Sequence, residues 1–239
     1  MSNVDNPYRS WGMVAAQAET NERTSFIRQT YVHLTGAIFA FAALEAVLLN
    51  TELGARMAGT IMANQFGWLI VMVAFVGVSW LANSWAQSDT SKAMQYMGLG
   101  LYVVAEAVIF LPLLYIANWM DPNVIPTAGV LTLMVFGGLT AAVFMTGADL
   151  SFLRTGLMIA GMASIGLIVC SILFGFSLGI VFMVAMIVLA SGYILYDTSN
   201  VLHHYRIGQH VAASLALFAS VALMFWYMVQ LMMSLTSRD

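Results

Sequence analysis

The sequence predicts an all-α integral membrane protein, a bundle of seven transmembrane helices. Three observations carry that prediction. Of 239 residues, 61% are hydrophobic and only 8% charged; a soluble domain carries about 25% charged residues, so this chain cannot cover a water-facing surface. Seven apolar stretches reach the ~20 residues that a helix needs to cross a bilayer. The connections between them are short.

Residues 1–25 come first, polar and mixed in charge (Asp5, Arg9, Glu19, Glu22, Arg23). They lack the apolar core and small-residue cleavage site of a secretory signal. They are expected to form a flexible tail ahead of a membrane domain over 26–239. The spans are expected at 27–50, 66–86, 93–117, 126–147, 153–174, 178–198 and 211–235. DPNVIP, from Asp121 to Pro126, carries the clearest turn signal, and FGFSLG between the fifth and sixth spans is almost no loop. Gly137, Gly138, Gly156, Gly161, Gly166 and Gly192 punctuate spans four to six. Small residues let helix backbones approach closely in lipid, which predicts a compact bundle.

Composition and motifs exclude several functions. A net charge of −3 without a basic stripe speaks against nucleic acid, leaving the lipid bilayer as the obligatory partner. Cys170, the lone cysteine, allows neither an internal disulfide nor a thiolate metal site. The 18 methionines lie in apolar runs and are read as gap-fillers between helices. Lys92, the only lysine, falls in a loop, which excludes a retinal Schiff base in the last span. Gly175 to Gly179 fit G-x-S-x-G, yet Ser177 lies at a turn on the opposite membrane side from all four histidines. A serine nucleophile needs its base within hydrogen-bond reach, so no hydrolase and no enzyme is predicted.

Orientation follows from Lys and Arg. With the N-terminus inside, six of these fall on the cytoplasmic side (Arg9, Arg23, Arg28, Lys92, Arg154, Arg206) and two outside (Arg56, Arg238). The C-terminus is then expected outside.

Three acids lie within the spans: Glu45, Glu106 and Asp197. Intramembrane ionisable groups are costly and are functional candidates by default. Glu45, some five residues from its span's outer end, is expected to reach the outer interface. Glu106 falls near the bilayer middle and must be protonated, hydrogen-bonded or hydrated. Asp197 closes the run GYILYDTSNVLHHY near the cytoplasmic end. Either water solvates it there, or Tyr193, Tyr196 and the polar run Thr198–Asn200 supply partners. His33 lies at similar depth, within possible reach of Asp197. Adjacent histidines on a helix point about 100° apart, so His203, His204 and His210 read as an interfacial cluster rather than a metal site.

SGYILYDTSNVLH (Ser191 to His203) resembles the sixth-span signature of the Bax inhibitor-1 family, also called the transmembrane Bax inhibitor motif family. TGADLSFLRTGL (Thr146 to Leu157) and FIRQTYVHLTGAIFAF (Phe26 to Phe41) are similar to that family's fifth-span linker and first span. The resemblance covers nearly the whole chain and suggests a bacterial-type member in the inner membrane. It implies six helices around a central seventh, and a pH-sensitive calcium leak latched by two aspartates that share a proton. The first aspartate carries over onto Asp197. Where the second is expected, in ALFASVALMF, stands Ser220. The implied gate and ion pathway is therefore Asp197 with Ser220, with Glu106, Glu45 and His33 along it. No resident cofactor is expected beyond transient Ca2+. A different implication, from bacterial relatives, is a non-transporting regulator that binds a membrane-anchored quality-control protease through the N-terminal tail.

Overall fold

The computed structural model describes residues 13–63, 66–88 and 91–237. Eight α-helices fill them: α1 Thr20–Leu49, α2 Glu52–Met62, α3 Gly67–Ala86, α4 Lys92–Met120, α5 Val124–Thr146, α6 Leu153–Phe174, α7 Gly179–His203 and α8 His210–Thr236. All but α2 are long and apolar enough to cross a membrane. The seven expected spans are therefore present, with ends shifted by a few residues.

Two shifts have clear causes. The first helix begins at Thr20, inside the expected tail, because its opening turn TNERTS is polar yet helical. The sixth span continues to His203, since Thr198, Ser199 and Asn200 stay helical. Residues 1–12 of the expected tail, with Asp5 and Arg9, lie outside the described residues, as does Arg238. Helix α2 was not foreseen. Its 11 residues are too few to span. Thr51 caps it, its hydroxyl accepting from Gly54 N at 3.4 Å, and it packs across α1, α3 and α4.

Helix α8 is the centre. Fifteen of its residues are buried, against Leu157 alone on α6. It packs on α7, α5, α1, α4 and α3, whereas α6 is held by α7. Each peripheral helix turns one stripe inward. On α1 the buried residues are Phe26, Thr30, Leu34, Ala37, Phe41 and Glu45, at spacings of three or four that trace one helical face.

Glycine contributes at particular places. A Cβ at Gly98 on α4 would lie 2.5 Å from the Ala82 carbonyl oxygen and 2.7 Å from Ala86 N, so α3 and α4 meet backbone to backbone there. Gly175, at φ +70, ends α6 in the left-handed region and lets the chain re-enter α7 within four residues. Tight packing at the other small residues holds only in part. Gly161 faces the Tyr193 hydroxyl and Gly192 faces Leu157, but Gly137, Gly138, Gly156 and Gly166 have open space where a side chain would stand. These four make α5 and α6 slim without bringing a neighbour close.

Candidate functional site

The chain alternates through the bundle, so the N-terminus of α1, the α3–α4 and α5–α6 links and the α7–α8 loop share one end. Asp197 lies near that end, on the inward face of α7, and is 9% exposed. Across from it on α8, one helical position past Ala219, stands Ser220, 5% exposed. The Ser220 hydroxyl donates to Asp197 Oδ2 at 2.5 Å. A hydrogen bond to a carboxyl group in a water-poor interior is among the stronger polar contacts. Asp197 is thus not a water-solvated helix end. It is satisfied across the α7–α8 seam, by the residue standing in the position of an expected second acid.

The other foreseen partners go elsewhere. The Tyr193 hydroxyl donates to Leu157 O at 2.8 Å and ties α7 to α6. His33 does not meet Asp197. Its Nε2 lies 3.1 Å from the Tyr96 hydroxyl, its Nδ1 is bonded to Gln29 O, and its ring lies 5.0 Å from His210. The four histidines disperse: His203 Nδ1 bonds Ser199 O, His204 reaches Asp149, and His210 packs on His33. No cluster of three or more metal-ligating side chains occurs among the described residues.

Glu106 is buried at 5% on α4. It interacts with the hydroxyl of Tyr102, one turn earlier on the same face. The Tyr102 ring packs on Phe75 and Phe218. Sequence reasoning missed Tyr102, although its i, i+4 spacing to Glu106 was the available signal. Tyr205, just past α7, completes the surroundings; burial, reinforced by the negative charge of Asp197, pushes its hydroxyl well above the ordinary range.

Glu45 corrects an expectation. It does not reach an interface but is 3% exposed on the inward stripe of α1, and neither carboxyl oxygen has a hydrogen-bond partner among the described residues. An unpartnered buried polar group costs about 1–3 kcal/mol. Glu45→Met, apolar and similar in length, is therefore expected to raise Tm in detergent. A fall in Tm would show that the carboxyl is satisfied after all.

Between Glu106 and Glu45 lies an aromatic layer. Phe110, one turn past Glu106 on α4, has its ring centroid 5.1 Å from Phe41, 5.6 Å from Phe225 and 5.0 Å from Trp226. Phe41 in turn sits one turn before Glu45 on α1.

Outside the membrane spans, the chain fastens its loops together at the Asp197 end. Ser199 Oγ donates to Ala148 O and accepts from Leu150 N at 2.8 Å, binding the α5–α6 link to α7. Met13 to Ala15 pair with the α7–α8 loop through Ala15 N to Tyr205 O and Ile207 N to Met13 O. Asp149 is held at about 2, below its ordinary value of 3.8, by hydrogen bonds from Ser151 N–H first and then His204. A depressed carboxylate contributes stability above its unfolded value and loses it as pH falls through the folded one. The loop contacts of Asp149 are thus expected to be complete above about 3.8 and lost near 2. An NMR titration of its carboxyl carbon with a midpoint near 3.8 would contradict this.

A family model described as "Inhibitor of apoptosis-promoting Bax1" matches residues 23–237, nearly the entire chain. The chain belongs to this family. Its α7 signature therefore sits in the fold that the resemblance implied, with Asp197 facing the central helix. The chain is also similar to an uncharacterized protein of Pseudomonas aeruginosa, 27% identical over 224 residues that cover 91% of this chain and 92% of that one. Family membership and the seven apolar helices make this an integral membrane protein.

Proposed function

We propose that this member of the Bax inhibitor family is an ion-leak protein of the bacterial inner membrane, with its N-terminus and the Asp197 end cytoplasmic and its C-terminus outside. The observation that carries the reading is the buried hydrogen bond between Asp197 and Ser220, which joins α7 to the central helix at one mouth of the bundle. In this reading Asp197 is the inner gate acid. Its release from Ser220 opens the mouth, Tyr102 and Glu106 continue the polar route, and Glu45 stands at its far side. Intramembrane carboxyls that face a bundle interior are the usual components of such routes.

The chemistry favours protons, or cations in transit, over a resident divalent ion. Ca2+ takes 6–8 oxygen ligands. Asp197 and Ser220 supply one carboxyl and one hydroxyl, so Ca2+ would pass without a lasting site. His33, half-buried against Tyr96 and His210, borders the mouth rather than forming the gate.

The pairing of Met13–Ala15 with the α7–α8 loop supports a second reading, a non-transporting regulator whose N-terminal segment helps form a docking surface for a membrane-anchored protease. One assay separates the two. Purified protein in liposomes should conduct protons or Ca2+ above protein-free vesicles, and Asp197→Asn should change that flux between pH 6 and 8. No flux from wild-type protein, with partner binding abolished by deleting residues 1–12, would favour the regulator. Flux that ignores Asp197→Asn would remove Asp197 from the gate.

A further inference from the structure

The Asp197–Ser220 contact closes one mouth, yet opening it alone does not connect the two sides of the bundle. Helices α1 and α4 run in the same direction, so their levels can be compared by register. Phe41 and Phe110 are in edge-to-face contact and mark a common level. Glu106 lies four residues to one side of it and Glu45 four residues to the other. At about 1.5 Å per residue the two acids are separated by about 12 Å along the axis. Phe41, Phe110, Phe225 and Trp226, from α1, α4 and the central α8, fill that interval. Phe110 is 2% exposed, stacks on Phe225 with rings 8° from parallel, and meets Trp226 and Phe41 edge-on.

Resting on the reading of the protein as a leak, we propose that the principal barrier to ion passage is this aromatic layer, with Phe110 as its keystone, rather than the Asp197–Ser220 contact. The physical reason is dewetting. A polar path needs water or side-chain oxygens at each level, and hydrophobic constrictions gate by excluding both. Glu106 has Tyr102 on its own side, and Glu45 has no hydrogen-bond partner on the other among the described residues. The aromatic rings present no carboxyl, hydroxyl or amide between them; the indole N–H of Trp226 is the sole polar group. Each acid is thereby confined to its own compartment. Opening requires Phe110 to leave its place between Phe41 and Phe225, through a rotation of α4 against α8 or a rotamer change. In this view the Asp197–Ser220 contact sets how often the mouth is open and Phe110 sets how fast an open mouth conducts, so flux depends on both.

Ordinary core packing predicts that Phe110 affects stability alone; a barrier role predicts that it affects flux. Proton flux is measured in liposomes for wild-type protein, Phe110→Ala, Phe110→Leu and Phe110→Trp, each checked for a monodisperse elution profile and a measurable Tm. Phe110→Ala should raise flux about tenfold or more, Phe110→Leu by less, and Phe110→Trp not at all. Phe110→Leu keeps an apolar side chain and guards against misfolding of the alanine variant. If wild-type protein is silent while Phe110→Ala conducts, the barrier stands and the resting leak fails. If wild-type protein leaks in an Asp197-dependent way and neither Phe110→Ala nor Phe110→Leu changes the rate, the barrier is overturned and the leak stands. If no variant conducts, the barrier is overturned as well.

Discussion

Gly98→Ala is expected to lower Tm, against the sign that helix propensity predicts. In an ordinary helix interior, alanine is more favourable than glycine by about 1 kcal/mol. At Gly98 the new methyl group would lie 2.5 Å from a carbonyl oxygen and 2.7 Å from a backbone nitrogen of α3. Both are backbone atoms of a helix and cannot turn aside, so α3 and α4 must separate along their shared face. Overpacking of this kind costs about 1–3 kcal/mol, and more for a larger side chain. Gly98→Leu should therefore lower Tm further than Gly98→Ala. Gly100, two residues on, has nothing within 4 Å of where its Cβ would stand. Gly100→Ala is the matched control and should raise Tm or leave it unchanged. Equal effects at the two positions would show that α3 and α4 are not in backbone contact.

Ser220→Ala is the second large effect. The substitution removes the donor and leaves Asp197, 9% exposed, with its Oδ2 stripped of the hydroxyl that satisfies it. The loss of one partner from a buried pair costs about 1–3 kcal/mol, more than the bond's own net contribution, because the remaining group stays desolvated. Asp197→Asn should be milder, since the amide keeps a carbonyl oxygen that can accept from Ser220. Ser220→Thr keeps the hydroxyl and should recover most of the Tm lost in Ser220→Ala. Equal Tm for Ser220→Ala and wild-type protein would mean that water or another side chain replaces Ser220.

The spans were legible because lipid imposes a length. A segment must hold about 20 apolar residues to cross, and any run of that length stands out in the sequence. Lipid imposes no such rule on α2, which is short, carries Glu52 and Arg56 as an exposed ion pair, and looked like loop. The pairing of Asp197 with Ser220 was legible only by resemblance, since 23 residues and a turn of the chain separate them. Nothing local marks a contact between two helices. Tyr102 was legible in principle from its i, i+4 spacing to Glu106. The wrong expectation for Glu45 came from counting depth along one helix: depth fixes the level of a side chain but not the face it occupies. The inward stripe of α1 supplies the face, because Glu45 continues the spacing of Phe26, Thr30, Leu34, Ala37 and Phe41. The aromatic layer had no signature at all, being assembled from three helices that meet only in the fold.

The central claim is that Asp197 and Ser220 act as one unit that closes a mouth of the bundle. A double-mutant cycle on liposome flux tests it most directly, with wild-type protein, Asp197→Ala, Ser220→Ala and the double variant compared at one pH, since alanine at either position removes the contact. Groups in contact typically couple by 0.5–3 kcal/mol. The flux of the double variant should therefore match that of the stronger single variant, departing from the product of the two single effects by about threefold or more. Flux changes that multiply independently would contradict the claim, because they would show that the two residues act on passage separately.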